Sequence, residues 1–533
     1  MRTILFGVDG LSFRVLHPLM QRGELPNFQK LRDAGSEAIL ESKYPPLTPA
    51  AWTSISTGMK PAAHGVYDFW EYDEPQQPGT PRRAHIQTHR KGSKAIWNIL
   101  SEYGKRVLIV NVPITYPPET VNGIMISGYM TPSSEVNFTY PLAFKEELYR
   151  AVPDYKIDLE HDDMLAIKPL LDATIKMTEQ RIKLMRYLMQ EKSWDFCYIV
   201  FVGADRLQHP LWDEIQAMET KAIEYFRLLD AGLGFVLEQL AADDTLFVVS
   251  DHGFQGAKRV FDINEYLYSR GLLHLDASVQ RGKSARNANL KYLLKRLGLF
   301  SLARKASQSL KKTRIEVLQE QQLDIYQPVL TDIDWTRTQA YVPSLSGFSG
   351  GYADIFLRDD LDALRVAELC ADLQSQVDPL TGKTLIEAIY PTDVYGTGPY
   401  TPREPHLLLL PSDGITFRMR FGNKRFWDDT NFTQGTHQKD GVFYACGNNI
   451  KQGLRASPVE IYDIVPTVLQ SMGLPLPSVF DGRVLDEIFV DQKQEKPGSP
   501  KHEGGGRTRQ KLERLLDLIQ DEYGNQLSYR PQS

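Results

Sequence analysis

The chain has 533 residues, 42% hydrophobic and 24% charged, so it has the apolar mass for a large packed core and is neither disordered nor fibrous in composition. A net charge of −6 and a pI near 6.1 exclude a global bias toward nucleic acid or anionic membrane, so any anion site must be built locally. Three widely spaced cysteines, Cys197, Cys370 and Cys446, with no CxxC spacing, exclude a disulfide framework.

The opening "MRTILFGVDG" has an apolar run too short for the core of a signal peptide, and no later stretch approaches the roughly 18 apolar residues of a membrane span, so a cytoplasmic location is expected. Four runs, "TILFGVDG", "KRVLIVNVP", "WDFCYIVFVGAD" and "DTLFVVSDHGF", are rich in β-branched and aromatic residues and end in Gly, Asp or Asn. They predict buried parallel strands with polar residues at their carboxyl ends. Between them, "PNFQKLRDAG" and Leu171–Gln190 carry helical periodicity, so the fold class is α/β, a mainly parallel central sheet flanked by helices. The pattern divides the chain into a first part of the core at 1–263, a helical insert or cap at 264–330, a second part of the core at 331–490, and a linker with an amphipathic helix at 491–533. Arg281–Arg314 is strongly basic with leucines at helical spacing; a solvated helix pair is the local reading, and peripheral contact with an anionic membrane is the functional one. Sheet-like runs return at "TQAYVP", "GYADIFLR", "HLLLLP" and "GVFYACG".

Ligands of such sheets collect beyond the strand ends, where Asp9, Asp205, His209, Asp251 and His252 converge. Asp205 and His209 are four residues apart and share a face if that segment is helical. Singly, each acid reads as a helix cap or turn former. Together, carboxylates and imidazoles suit zinc or a neighbouring first-row metal, and there are too many ligands for one ion. Two ions about 3.5–4 Å apart clamp both the attacking and the leaving oxygen of an in-line phosphoryl displacement. In "KYPPLTPAAWTSISTG", Thr48 stands at an N-cap position with Pro49 first in the helix, so its hydroxyl lies at a positive helix terminus. Local sequence favours a capping threonine; beside a metal the same hydroxyl becomes a nucleophile.

These motifs, "GVDG", "PPLTPAAWTSISTGMKPAAHGV", "GADRLQHP", "SDHGF" and "GTHQKDGVF", with the late "VEIYDIVPTVLQSMGLPLPSVFDGRVL", resemble the alkaline phosphatase superfamily in its type I phosphodiesterase/nucleotide pyrophosphatase branch. The likeness runs from about Met1 to Leu485. It implies an alkaline-phosphatase-like core, two divalent ions (zinc, with manganese as the alternative), one held by Asp205, His209 and His437 and the other by Asp9, Asp251 and His252 with Thr48 bound to it as nucleophile. His437 comes from the resemblance alone, because "QGTHQKDG" reads as an ordinary loop. Phe69 stands where nucleotide pyrophosphatases of that branch carry a phosphate-contacting asparagine, which brings the pattern nearer the bacterial phosphohydrolase/phosphomutase relatives.

The implied activity is metal-dependent hydrolysis of a phosphate ester, a diester foremost, through a phosphothreonine intermediate on a small-molecule, glycan or lipid substrate and not a nucleic-acid polymer. A phosphomutase or phosphoryl transferase using the same site is the alternative. A sulfatase is disfavoured, because Thr48-Pro49-Ala50-Ala51 lacks the Cys or Ser nucleophile context of that class. Lys43, Lys60, Lys94 and Arg206 are candidate phosphate-contacting cations, and each equally suits a surface charge; His64 is expected to be structural.

Overall fold

In the computed structural model the described residues are 1–42, 46–72, 84–86, 90, 92–275, 333–342, 351–358, 361–401, 405–419, 426–429 and 434–490. Lys43, the basic Arg281–Arg314 segment and the C-terminal 491–533 stretch lie outside them.

The four expected strands appear as Thr3–Val8, Val107–Val110, Phe196–Phe201 and Thr245–Val249, each completely buried. They pair in parallel, with Thr3–Val8 between Phe196–Phe201 and Thr245–Val249. Continuous apolar runs fit this place because helices cover both faces of the sheet, leaving no solvated side for polar alternation. Gly123–Ile126 extends one flank in parallel, and the short Thr139–Tyr140 closes it antiparallel. On the other flank Asp440–Cys446 runs antiparallel between Thr245–Val249 and Ser36–Glu41. With Leu454–Arg455 and Val459–Glu460 on Ser36–Glu41, the sheet has ten strands.

The predicted helices form at Pro26–Ala34 and Ile167–Glu191. The latter packs on Thr220–Gln239. Among the described residues no helix is long and apolar enough to cross a membrane.

The later sheet-like runs divide. Only Asp440–Cys446 joins the main sheet, whereas Ala340–Tyr341, Ala353–Leu357, Leu407–Pro411 and Ile386–Pro391 make a separate four-stranded antiparallel sheet. It shares a second hydrophobic core with the helix Ile263–Ser269 and with Phe261, Ile415 and Phe417. The two cores are joined by the ten-residue strand Gly253–Asp262. Its first residues pair antiparallel with Gly435–Gln438, and its last ones pair with Gly414–Arg418 and Trp427–Asp429.

Gly7, in the central strand, leaves room for the helix Thr48–Thr57: a Cβ there would stand 2.6 Å from Trp52 Cη2 and 3.0 Å from Val200 Cγ2. Trp52 is fully buried and has no room to swing. Gly7→Ala is therefore expected to cost about 1–3 kcal/mol through overpacking, read as a lower urea midpoint with an unchanged slope.

Candidate metal centre

The first strand ends at Val8, and the chain leaves it through Asp9 and Gly10. Gly10 takes a left-handed conformation (φ +71°), and a Cβ on it would press 3.2 Å from the Asp205 backbone and the Phe254 ring, so only glycine lets the strand end approach so closely. The approach is fixed by hydrogen bonds. The Asp205 amide donates to the Asp9 carbonyl (3.1 Å), Gln208 Nε2 to the Gly10 carbonyl (2.7 Å) and the Gly10 amide to Asp251 Oδ1 (3.1 Å). Ser250 Oγ accepts from the Leu11 amide and donates to the His252 carbonyl, tying the fourth strand end to the first. Three strand ends thus deliver Asp9, Asp205 and Asp251 to one place.

Asp205 and His209 lie one turn apart on the helix Gly203–Gln216, as their spacing predicted. His437 arrives from elsewhere, on the strand Gly435–Gln438, where it pairs opposite Phe254. Two three-residue groups result, Asp205/His209/His437 and Asp9/Asp251/His252, in each of which one donor atom per residue lies within 4.8 Å of the others. The groups adjoin: the His252 and His437 rings stack at 3.7 Å. The structure therefore assembles all six of these sequence-derived positions.

The histidine tautomers follow from their partners. Nδ1 of His437 faces the Pro46 carbonyl (2.8 Å), that of His209 the Gly435 carbonyl (3.1 Å) and that of His252 the Gly253 carbonyl (3.1 Å). A carbonyl only accepts, so each Nδ1 carries the proton and each Nε2 presents a lone pair. Yet His437 Nε2 stands 3.0 Å from Asp205 Oδ1, and His252 Nε2 stands 3.3 Å from Asp251 Oδ2 and 3.4 Å from Asp9 Oδ1. Burial pushes His437 and His252 down to about 4, so neither ring gains a second proton at neutral pH. Lone pairs are left facing carboxylate oxygens.

Asp9 Oδ1, Asp251 Oδ2 and His252 Nε2 are buried with no hydrogen-bond partner. Burial, then the charge of Asp205, raises Asp9 to about 7; burial and the Asp9 charge push Asp251 well above its ordinary value. Burial acts on Asp205 in the same sense, but its neighbours His209 and His437 outweigh it and hold this carboxyl well below the usual range. The orphaned acceptors of Asp9, Asp251 and His252, and the matching carboxylate and imidazole donors of Asp205, His209 and His437, fit one divalent cation per group, with zinc or a neighbouring first-row ion matching the donor set.

Thr48 opens the helix Thr48–Thr57 and is 4% exposed. Its place differs by one residue from the cap expected from sequence. Because the Ala51 amide donates to the Leu47 carbonyl (2.9 Å), the helical ladder starts earlier, making Leu47 the N-cap and Thr48 the first helical residue. Thr48 is nonetheless at the positive end of the helix. One turn on, Trp52 Nε1 donates to Asp9 Oδ2 (3.3 Å), and positions four apart share a helix face, so Thr48 lies on the same face of the helix as Trp52.

The remaining candidates have partners of their own. His64 is structural: its Nδ1 accepts from the Val66 amide, its Nε2 pairs with Ser54 Oγ at 3.0 Å, and burial holds it near 3. Lys60 Nζ lies over the Tyr462 ring, and Lys94 pairs with Glu102 at the surface. Phe69 packs edge-on against Tyr129. Arg206 is held by Asp158 and sits on Tyr129. Tyr129 and Asp158, which escaped the sequence reading, have no local motif that would mark them.

The sequence profile of a family described as "Type I phosphodiesterase / nucleotide pyrophosphatase" matches residues 3–440. No curated protein sequence matches significantly. Among solved structures, phosphonoacetate hydrolase from Sinorhizobium meliloti 1021, in complex with phosphonoformate, is similar at 14% identity and TM-score 0.56, over 87% of this chain and 94% of that one. Murine ectonucleotide pyrophosphatase/phosphodiesterase 5, an inactive threonine-to-alanine variant in complex with AMP, is similar at 11% identity and TM-score 0.52, over 92% and 100%. The human form of that protein gives 12% identity and TM-score 0.51, over 92% and 100%. At these identities the likeness is one of fold.

Proposed function

The chain belongs to the type I phosphodiesterase/nucleotide pyrophosphatase family, a family of phosphoric ester hydrolases, and from that premise we propose that it cleaves a small-molecule phosphate ester, a diester foremost, by attack of Thr48 with two divalent ions in place. The observation that carries this reading is the pair of adjoining carboxylate and imidazole groups, with Asp9 Oδ1, Asp251 Oδ2 and His252 Nε2 buried and without hydrogen-bond partners. Asp205, His209 and His437 would hold one ion, and Asp9, Asp251 and His252 the other. When bound, such ions act as Lewis acids on phosphoryl and hydroxyl oxygens.

The protein's own part is positioning. The Pro46, Gly435 and Gly253 carbonyls fix the three rings with Nε2 inward, and Trp52 holds Asp9. The helix start at Thr48 directs its dipole and its amides, which lack intrahelical partners, at the phosphoryl oxygens. In the first step the Thr48 Oγ–P bond forms as the bond from phosphorus to the leaving oxygen breaks, the hydroxyl proton passing to solvent and the leaving oxygen taking one. In the second, water attacks the phosphothreonine, releasing phosphate or monoester and restoring the hydroxyl. The threonine-to-alanine change in the inactive murine relative, and the phosphonate and AMP bound to the neighbours, support a small phosphorus-containing substrate and a threonine nucleophile.

The test is hydrolysis by metal-free protein reconstituted with zinc or manganese, comparing bis-p-nitrophenyl phosphate, p-nitrophenyl phosphate and p-nitrophenyl sulfate. Turnover of phosphates with preference for the diester, and none of the sulfate, is expected. No turnover of either phosphate by protein carrying two ions would move the reading to phosphoryl transfer onto another acceptor.

A further inference from the structure

Arg206 follows Asp205 directly on the helix Gly203–Gln216, and its charge reaches carboxylates of both ligand groups, Asp205 in one and Asp9 in the other. It is no surface cation: its side chain is 18% exposed. Its Nη2 donates to Asp158 Oδ2 (2.9 Å), and its guanidinium carbon lies 4.4 Å from the centre of the Tyr129 ring. Tyr129 is braced in turn by the edge of Phe69 at 5.6 Å between ring centroids. Asp158, Asp205 and a hydrogen bond with Tyr129 act against the burial, and a guanidinium is in any case permanently charged. Arg206 Nε is nevertheless buried with no hydrogen-bond partner.

A guanidinium offers five donors in a fixed fork, and here one edge is spent on Asp158 while the ring beneath prevents rotation. A cation fixed on two sides and left with unused donors beside a phosphoryl site is built to receive an anion. The two proposed ions already answer the single negative charge of a plain diester. Resting on the proposed phosphohydrolase reading, we propose that Arg206, positioned by Asp158 and Tyr129, is a substrate-binding residue that selects esters bearing a second negative charge on a group next to the reacting phosphorus. A neighbouring carboxylate or phosphate group supplies that charge, and either presents planar or trigonal oxygens to the same fork.

The experiment measures binding by calorimetry to the zinc-loaded protein, so that it stands whether or not any ester turns over. The probes are dimethyl phosphate (one charge), inorganic phosphate (a second charge on the same phosphorus) and phosphonoacetate (a second charge on a carboxylate). The native chain is expected to bind phosphonoacetate about tenfold or more tightly than dimethyl phosphate, and Arg206→Ala to erase that advantage while dimethyl phosphate changes little. An advantage seen with inorganic phosphate but not with phosphonoacetate would overturn the proposal. Asp158→Ala should weaken phosphonoacetate binding and leave dimethyl phosphate alone, which a merely structural role would not do. Zinc content and melting temperature, measured alongside, separate the outcomes: if the native chain fails to hold two zinc ions, the phosphohydrolase reading falls. If zinc is retained but Arg206→Ala weakens all three probes equally, or none, the selectivity proposal falls alone.

Discussion

Thr48→Ala is expected to lower kcat/KM for bis-p-nitrophenyl phosphate by on the order of 10⁴-fold or more, while the protein still folds and still binds two zinc ions. The size follows from the role: with no oxygen at this position the Oγ–P bond cannot form, and what survives is the rate of water attacking a bound ester. The change is otherwise gentle. Alanine suits a first helical turn, the Ala51 amide keeps its bond to the Leu47 carbonyl, and no ligand carbonyl is touched, so a loss of about 1 kcal/mol in stability is the most the missing methyl and hydroxyl should cost. Thr48→Ser keeps the hydroxyl and should keep much of the rate. Acid quenching of the native enzyme during turnover should leave phosphate on the peptide bearing Thr48, and Thr48→Ala should leave none. A loss below about tenfold, with zinc bound, would exclude Thr48 as the nucleophile and leave direct attack by water.

Why some of this was legible in the sequence and some was not comes down to range. The strands Thr3–Val8 and Phe196–Phe201 announced themselves because a strand covered on both faces has to be apolar throughout, and the polar residue that ends each run is then the sheet edge. Asp205 and His209 were readable because helical periodicity is local. His437 was not. Its segment sits beside Gly435 and becomes a strand only by pairing with Gly253–Gly256, a partner 179 residues or more away along the chain, with no apolar alternation of its own. The same pairing starts a strand at Gly253, in "DHG", which by itself looks like a turn; only with both segments present does the His252 ring meet that of His437. Arg206 was visible as a residue but not as a site, since Asp158 and Tyr129 reach it from segments 48 and 77 positions earlier. The one-residue displacement of the helix start at Thr48 has a smaller cause: side-chain type favours a threonine cap, but a backbone bond to Leu47 outranks it.

The metal-free protein is expected to lose stability as pH rises from about 6.5 to 8.5, and zinc is expected to flatten that loss. Burial raises Asp9 to about 7 and Asp251 well above its ordinary value, so the folded metal-free chain keeps protons there that an unfolded chain, with carboxyls near 3.8, has already released. Where the folded state binds more protons, stability falls with rising pH. Histidines work the other way: His252 and His437 are held near 4 and His64 near 3 by burial, so below their ordinary 6.5 the unfolded chain takes up protons the folded one refuses, and stability there rises with pH. The two senses oppose each other below 6.5, and above it the acids act alone. Asp354, raised to about 7 by burial, adds the same slope but belongs to neither ligand group, so zinc should leave its share untouched. Each group contributes at most about 1.4 kcal/mol per pH unit, a few kcal/mol in all, which amounts to several degrees in melting temperature. Bound cations reverse the preference of Asp9 and Asp251 by favouring their ionised forms, and loading below pH 7 should therefore release protons, measurable as a buffer-dependent heat. Melting curves taken with chelator and with zinc should diverge as pH rises. Parallel curves would mean that these carboxyls hold no metal and that their buried, unpartnered oxygens need another explanation.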